Sequence, residues 1–451
     1  MLKMKITIHR GLEQIGGCIT EISTETSRVF IDMGQNLPGN AEKMTPEQDK
    51  ELVEGIFRNN PKAYEAVVYT HAHEDHMGLF SYVPNDIPQY IGEGGKEILL
   101  AKYDLIKKGH EMEYGVVSAV SAHNNSESQK LSCERLARTI NDDEEKISKL
   151  KGFRTWQRSK PHAEPQSFEV GDIRITPFFN CHSIYDSYML LIEADGKQIW
   201  HTGDYRKHGY MGKGLIPTLK RYATDIDVLI TEGTMLKRDD ECIHERVVSR
   251  KMASVMDAFK YVVVLASATD IERLAAIKGA AKKAHKDLYI CGGYMKRTMR
   301  IFTRREAEAS KGLFAFHPKY VSSNRLNMST MRKKGFVLVA GVMQQGFVED
   351  ICGNLNPSEV LLIYSSWDGY YKDPELVKEN PQYKVFRDAF HNVVDIHTSG
   401  HADRKTIKEV IETVKPKEVI CIHKEADASL ESLDISEEIN YKINNQIIKD
   451  L

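Results

Sequence analysis

A chain of 451 residues with 41% hydrophobic residues has ample material for buried cores and exceeds one ordinary domain, so two domains or one domain with a large insertion is expected. The net charge of −2 by itself says little about partners, but residues 241–350 hold 20 Lys and Arg against 10 Asp and Glu. The seven cysteines lie at 18, 133, 181, 242, 291, 352 and 421 without CxxC spacing, which points away from a disulfide framework and a thiolate zinc site and toward a reducing cytoplasm.

The N-terminal "MLKMKITIHRG" alternates like a strand rather than forming an apolar leader, and no later run approaches membrane-spanning length, so an unexported, soluble protein is expected. Strands "KITIHR", "CITEIS", "RVFIDM" and "AVVYT" follow in order, with a helix around Pro46 to Phe57 before the last. Residues 102–160 read as an inserted helical pair. Strands then resume in "FEVGDIRITPFF", "YMLLIEAD", "KQIWHTGD" and "DVLITEGT". Beyond Thr234, continuous apolar strands such as "YVVVLAS", "GFVLVAG" and "EVLLIYSS" alternate with helices, the pattern of a parallel sheet covered on both faces. The last segment, from "VVDIHTSGHADR" to "VICIHKE", is expected to rejoin the first unit.

The chemistry is concentrated in "THAHEDHMG", residues 70–78, where three imidazoles and two carboxylates follow an apolar strand. Groups this dense need something positive to gather them. Imidazole nitrogen and carboxylate oxygen suit Zn²⁺ or Mn²⁺, and without thiolate the ions would stay Lewis-acidic. Further polar residues at strand ends complete two ligand sets: His71, His73 and His182 for one ion, Asp75, His76 and His423 for the other, with Asp204 between them. Ions held about 3.5–4 Å apart can neutralise the charge that develops on a phosphodiester under in-line attack. A polar turn without metal is the bland alternative.

This constellation resembles the metallo-β-lactamase superfamily, whose HxHxDH signature is matched by His71, His73, Asp75 and His76. The resemblance implies an αββα sandwich, with Asp32 buttressing the metal loop. It narrows to the β-CASP nucleases: Glu232 stands at their motif A, His401 at motif B and His423 at motif C, around an inserted α/β domain. The implied division is 1–234 and 389–451 for the sandwich and 235–388 for the β-CASP domain. The wording of "GLEQIGG", "HSIYDS", "HTGDYR" and "SGHA" is similar to the ribonuclease J family without its C-terminal domain, although "HKE" replaces the usual "HGE".

The resemblance implies an RNA-cleaving hydrolase with two divalent ions, Zn²⁺ before Mn²⁺, acting on single-stranded RNA as an exonuclease, an endonuclease or both, with a possible homodimer. Asp75 would serve as ligand and general base. Ser399 and His401 would contact the scissile phosphate, with His401 also placed to protonate the leaving oxygen, and Glu232 would orient His401. DNA or another single strand as substrate, a small-molecule hydrolase sharing the metal loop, and a binding subunit of the same fold are the competing readings. Two features bear on the substrate: the basic runs "MKRTMRIFTRR" and "MRKKG", read as either solvated helix faces or a polyanion-binding wall, and the aromatics of "SSWDGYYK", read as either base-stacking or packing groups.

Overall fold

The computed structural model describes residues 4–38, 44–124, 127–158, 163–239, 241–321, 325–436, 442–443 and 448–451. Its described strands form three sheets. The first runs, edge to edge, Ile448–Asp450, Lys5–Arg10, Ile19–Ser23, Ser27–Ile31, Tyr64–Val68, Gln89–Gly92 and Arg154–Trp156. The second runs Lys442–Ile443, Glu418–Ile422, Val228–Glu232, Lys197–His201, Ser187–Ala194, Ile173–Asn180 and Phe168–Val170.

These two sheets face one another because their strands alternate. Ile6, Ile8, Ile22, Val29 and Val68 of the first pack against Ile175, Leu190, Ile192, Ile199, Ile230 and Ile420 of the second. The opposite faces are covered by helices. Val53, Ile56 and Phe57 of Pro46–Arg58 lie on Phe30 and Val67, while Leu215 and Leu219 join Ile407, Val410 and Ile411 of Arg404–Val414 over Trp200 and Leu229. The result is an αββα sandwich, the layering of a metallo-β-lactamase fold.

The third sheet is parallel throughout its six strands, in the order Lys319–Tyr320, Leu288–Ile290, Phe336–Ala340, Tyr261–Leu265, Val360–Tyr364 and Asn392–Asp395. Its three central strands, Phe336–Ala340, Tyr261–Leu265 and Val360–Tyr364, are buried on both faces, which accounts for their unbroken apolar sequence. The strand in "VVDI" departs from expectation. A division at residue 388 would give it to the sandwich, but Leu361 pairs with Asn392 and Tyr364 with Asp395, so the chain leaves the third sheet only after residue 395. Four residues of β pattern carry no mark of which sheet they will extend.

The inserted helical pair is present but begins and ends earlier than its sequence suggests: Glu93–Asn124 and Glu127–Gly152 form a hairpin whose first helix, at 32 residues, spans about 48 Å. It begins before Lys102 despite Gly94 and Gly95, residues of poor helix propensity. Crowding explains the first. A Cβ on Gly94 would lie 2.4 Å from Tyr185, and the amide of Gly95 donates to the buried carboxylate of Asp186 at 2.9 Å. No helix among the described residues is long and apolar enough to cross a membrane.

Candidate metal centre

The loop after Tyr64–Val68 carries His71 and His73, and the short turn Glu74–Met77 carries Asp75 and His76. Asp32, in the left-handed region at φ 64°, holds this loop in shape. Its carboxylate accepts from the amide of Thr70 at 2.7 Å, the Thr70 hydroxyl at 2.8 Å and His76 Nδ1 at 2.7 Å. With Nδ1 donating to Asp32, His76 turns Nε2 inward, 3.1 Å from Asp204 Oδ2. The fifth polar residue goes elsewhere: Glu74 is ion-paired with Lys102 on the helical hairpin.

The other expected residues arrive from strand ends. His182 follows Ile173–Asn180, Asp204 follows Lys197–His201, and His423 follows Glu418–Ile422 with φ 53°. His182 Nδ1 donates to the carbonyl of Gly400 at 2.8 Å, and His423 Nδ1 lies 2.7 Å from Thr234 Oγ1. The Thr70 hydroxyl, already donating to Asp32, accepts from His71 Nδ1 at 3.0 Å. A proton on Nδ1 satisfies each of these contacts, and all three rings turn Nε2 to the centre.

His71 Nε2 and His182 Nε2 each lie 3.1 Å from His73 Nδ1. One proton can serve only one of those contacts, so the remaining lone pairs face each other. Nitrogens around a tetrahedral zinc, each about 2.05 Å from the ion, would sit about 3.3 Å apart, close to what is observed. His423 Nε2 approaches Asp75 Oδ2 at 3.0 Å, and Asp204 Oδ2 lies 3.6 Å from His423, 3.7 Å from His182 and 3.9 Å from His71. Two groups suited to cations, His71–His73–His182 and Asp75–His76–Asp204–His423, thus share the Asp204 edge, and these buried clusters fit metal binding.

The electrostatics follow. Burial drives His71 well below its usual range, with the neighbouring imidazoles adding to it, and lowers His73 to about 4. Burial opposes the charge on Asp204, but His423 and His76 outweigh it and hold the carboxyl far down. His401 goes the other way: burial disfavours its charge, yet Glu232 carries it up to about 9. Glu232 Oε2 lies 2.8 Å from His401 Nδ1, while its other oxygen accepts from the amides of Tyr205 at 3.0 Å and Ala402 at 3.3 Å. The Ser399 hydroxyl accepts from the amide of His401 at 3.1 Å, so one of its lone pairs is committed to the loop itself.

All seven expected ligands converge, with Glu232, His401 and Ser399 on the rim. Sequence reading missed Thr70 and Thr234, the hydroxyls that set imidazole orientation. Thr234 stands two residues after Glu232 at the same strand end and carried the same signal as the residues that were singled out.

Three arginines of the first basic run are paired with protein carboxylates instead of forming a solvated face. Arg305 of Gly293–Glu306 pairs with Glu97 at 2.6 Å and Glu93 at 3.2 Å, Arg304 also reaches Glu97, and Arg297 meets Asp104, all on the helical hairpin. The aromatics are likewise engaged with protein. Tyr370 stacks on Tyr383 at 4.4 Å, Arg387 covers Tyr371 and Arg238 covers Trp367.

The model of the Zn-dependent metallo-hydrolase RNA specificity domain matches residues 391–437, which include His401 and His423. Ribonuclease J of Helicobacter pylori is 22% identical over 449 residues, covering 94% of this chain and 56% of that protein. The RNase J-like protein of Methanocaldococcus jannaschii is 23% identical, covering 94% of this chain and 93% of that one. The chain thus spans about half the length of the Helicobacter relative. A crystal structure of a protein of unknown function from Enterococcus faecalis V583 covers the whole of both chains with a TM-score of 0.68 at 18% identity, which speaks to the fold.

Proposed function

We propose that this chain is a ribonuclease J-like protein of the β-CASP group of the metallo-β-lactamase superfamily, a metal-dependent ribonuclease hydrolysing phosphodiester bonds of single-stranded RNA. The observation that carries the reading is the joining of a shared Asp204 edge between two ligand clusters to the Glu232–His401 pair, 3.7 Å from Asp204 Oδ2. A small-molecule hydrolase needs the first and not the second.

His71, His73 and His182 would hold one ion, and Asp75, His76 and His423 the other, with Asp204 bridging; Zn²⁺ suits the nitrogen-rich set, and Mn²⁺ is the alternative. When bound, the ions supply Lewis acidity that neutralises charge developing on the phosphate. The chain's own residues do the rest. The carboxylate of Asp75 accepts the proton of the attacking water, Asp32 keeps His76 in the tautomer that faces inward, and Ser399 with His401 contacts the scissile phosphate. His401, its Nδ1 on Glu232, has Nε2–H free to donate to the leaving oxygen.

The RNA-specificity domain match and the named relatives support RNA as substrate. Residues 1–234 with the segment after 395 would build the catalytic sandwich, and the intervening sheet the β-CASP domain. Met112, Val116 and Val120, exposed at four-residue spacing on the hairpin, suit a contact with a second copy, giving a homodimer. Val116→Glu should then convert sedimentation from dimer to monomer.

The test incubates 5′-labelled RNA and matched DNA, bearing monophosphate or hydroxyl ends, with wild type and Asp75→Ala in Mn²⁺ or Zn²⁺. RNA cleavage lost in the variant is expected, with laddering or mononucleotide release distinguishing internal from end-on attack. Equal cleavage by the variant, or cleavage of DNA in preference to RNA, would contradict the reading.

A further inference from the structure

Behind the loop 397–401 lies a second cluster of buried charge that takes no part in metal binding. Arg273 and Arg206 are 2% and 0% exposed, and Glu245 and Glu272 are 0% exposed. Arg273 belongs to the first turn of the helix Ile271–Lys283, which follows the third-sheet strand Tyr261–Leu265 and is therefore part of the inserted domain.

Every nitrogen of the Arg273 guanidinium is used. Nε donates to Glu245 at 3.1 Å, Nη2 to Glu245 at 2.9 Å and to the carbonyl of Thr398 at 3.1 Å, and Nη1 to Ser365 Oγ at 2.7 Å and His397 Nδ1 at 3.1 Å. The next carbonyl, Ser399, accepts from His208 Nε2 at 2.7 Å and Arg206 Nη1 at 3.4 Å. Three consecutive residues, His397 to Ser399, are thereby fixed from the far side. His401 is tied to the same loop through its amide on Ser399 Oγ.

A buried guanidinium is tolerated only when its donors are satisfied, and a planar fork can serve a carboxylate, a hydroxyl, an imidazole and a carbonyl at once. A lysine ammonium cannot reach all four. We infer that Arg273 is a positioning residue through which the inserted domain sets the loop 397–401, and so holds His401 where it can protonate the leaving oxygen. The inference rests on the ribonuclease reading and adds that the inserted domain takes part in the chemical step as well as walling the cleft.

Leaving groups separate this role from general support of the fold. An RNA oxygen needs a proton as it departs, whereas nitrophenolate leaves as the anion, so a displaced His401 should harm RNA cleavage selectively. Wild type, Arg273→Lys, Ser365→Ala and His401→Ala would be assayed on RNA and on bis(4-nitrophenyl) phosphate in Mn²⁺. Arg273→Lys should lower kcat on RNA about 100-fold relative to kcat on the nitrophenyl ester, the scale of loss expected from small misplacement of a reacting group, with KM for RNA changed less than about threefold. His401→Ala should show the same split, and Ser365→Ala, which removes one hydroxyl partner without touching the charges, a smaller split in the same direction.

Equal losses on both substrates, or an RNA kcat retained by Arg273→Lys, would overturn the inference while leaving the ribonuclease reading intact. If Arg273→Lys does not fold, Ser365→Ala decides: an unsplit profile there overturns the inference. Wild type inert toward RNA would overturn both.

Discussion

The loop 71–76 and the helix Gly293–Glu306 look alike in sequence, each a dense run of charge inviting something from outside the chain, but the structure treats them oppositely. In the loop, His71, His73, Asp75 and His76 meet other electron-pair donors: His182, Asp204 and His423. Their lone pairs are left facing one another. In the helix, Arg297, Arg304 and Arg305 meet the carboxylates of Asp104, Glu97 and Glu93, roughly 200 residues earlier in the chain. Charge density in a sequence thus says little about whether that charge is already spent. The sign of the partner decides, and here the partner is distant in both cases.

Breaking the unspent site should have the largest effect. Asp204→Ala removes the carboxylate that belongs to one ligand group and lies 3.7 Å from His182 of the other, and RNA cleavage should fall about 1000-fold or more, equivalent to several kcal/mol of charge stabilisation, as read from initial rates at saturating metal. Next comes Glu232→Gln, which keeps the shape but weakens the hold on His401; a loss of about 10- to 100-fold in kcat is expected, with bound metal unchanged by elemental analysis.

Metal itself sharpens the contrast through stability. An ion that binds the folded site at 1000 times its Kd adds about 4 kcal/mol, so chelation should lower Tm and added Zn²⁺ or Mn²⁺ should restore it in calorimetry. The spent site should barely respond. Arg297→Ala, removing a partly exposed ion pair, should cost about 0.5 kcal/mol in urea melts and leave the salt dependence of RNA binding within about one unit of slope. A drop of several units would put that helix back on the substrate path.

The metal loop was legible because a short segment after a strand carries its ligands at fixed spacing, and the same logic found His182, Asp204 and His423 at other strand ends. Glu232 and His401 required the family resemblance, since a lone carboxylate and a lone imidazole 169 positions apart carry no joint signal. What stayed hidden is long-range. Tyr185 explains Gly94, Glu97 explains Arg305, and Val360–Tyr364 recruits Asn392–Asp395, each through a contact that no local pattern encodes. Arg273 is the sharpest case, an arginine in an ordinary helix pattern whose five donors are all taken in the core.

The central claim, that this cluster is a two-metal site built around Asp204, is tested most directly by titrating metal-free protein with Zn²⁺ or Mn²⁺ in a calorimeter and counting ions bound per chain. Two ions for wild type, with tight binding lost or reduced to one ion in Asp204→Ala, is the predicted result. No tight binding by wild type, or the same stoichiometry and affinity in the variant, would contradict it.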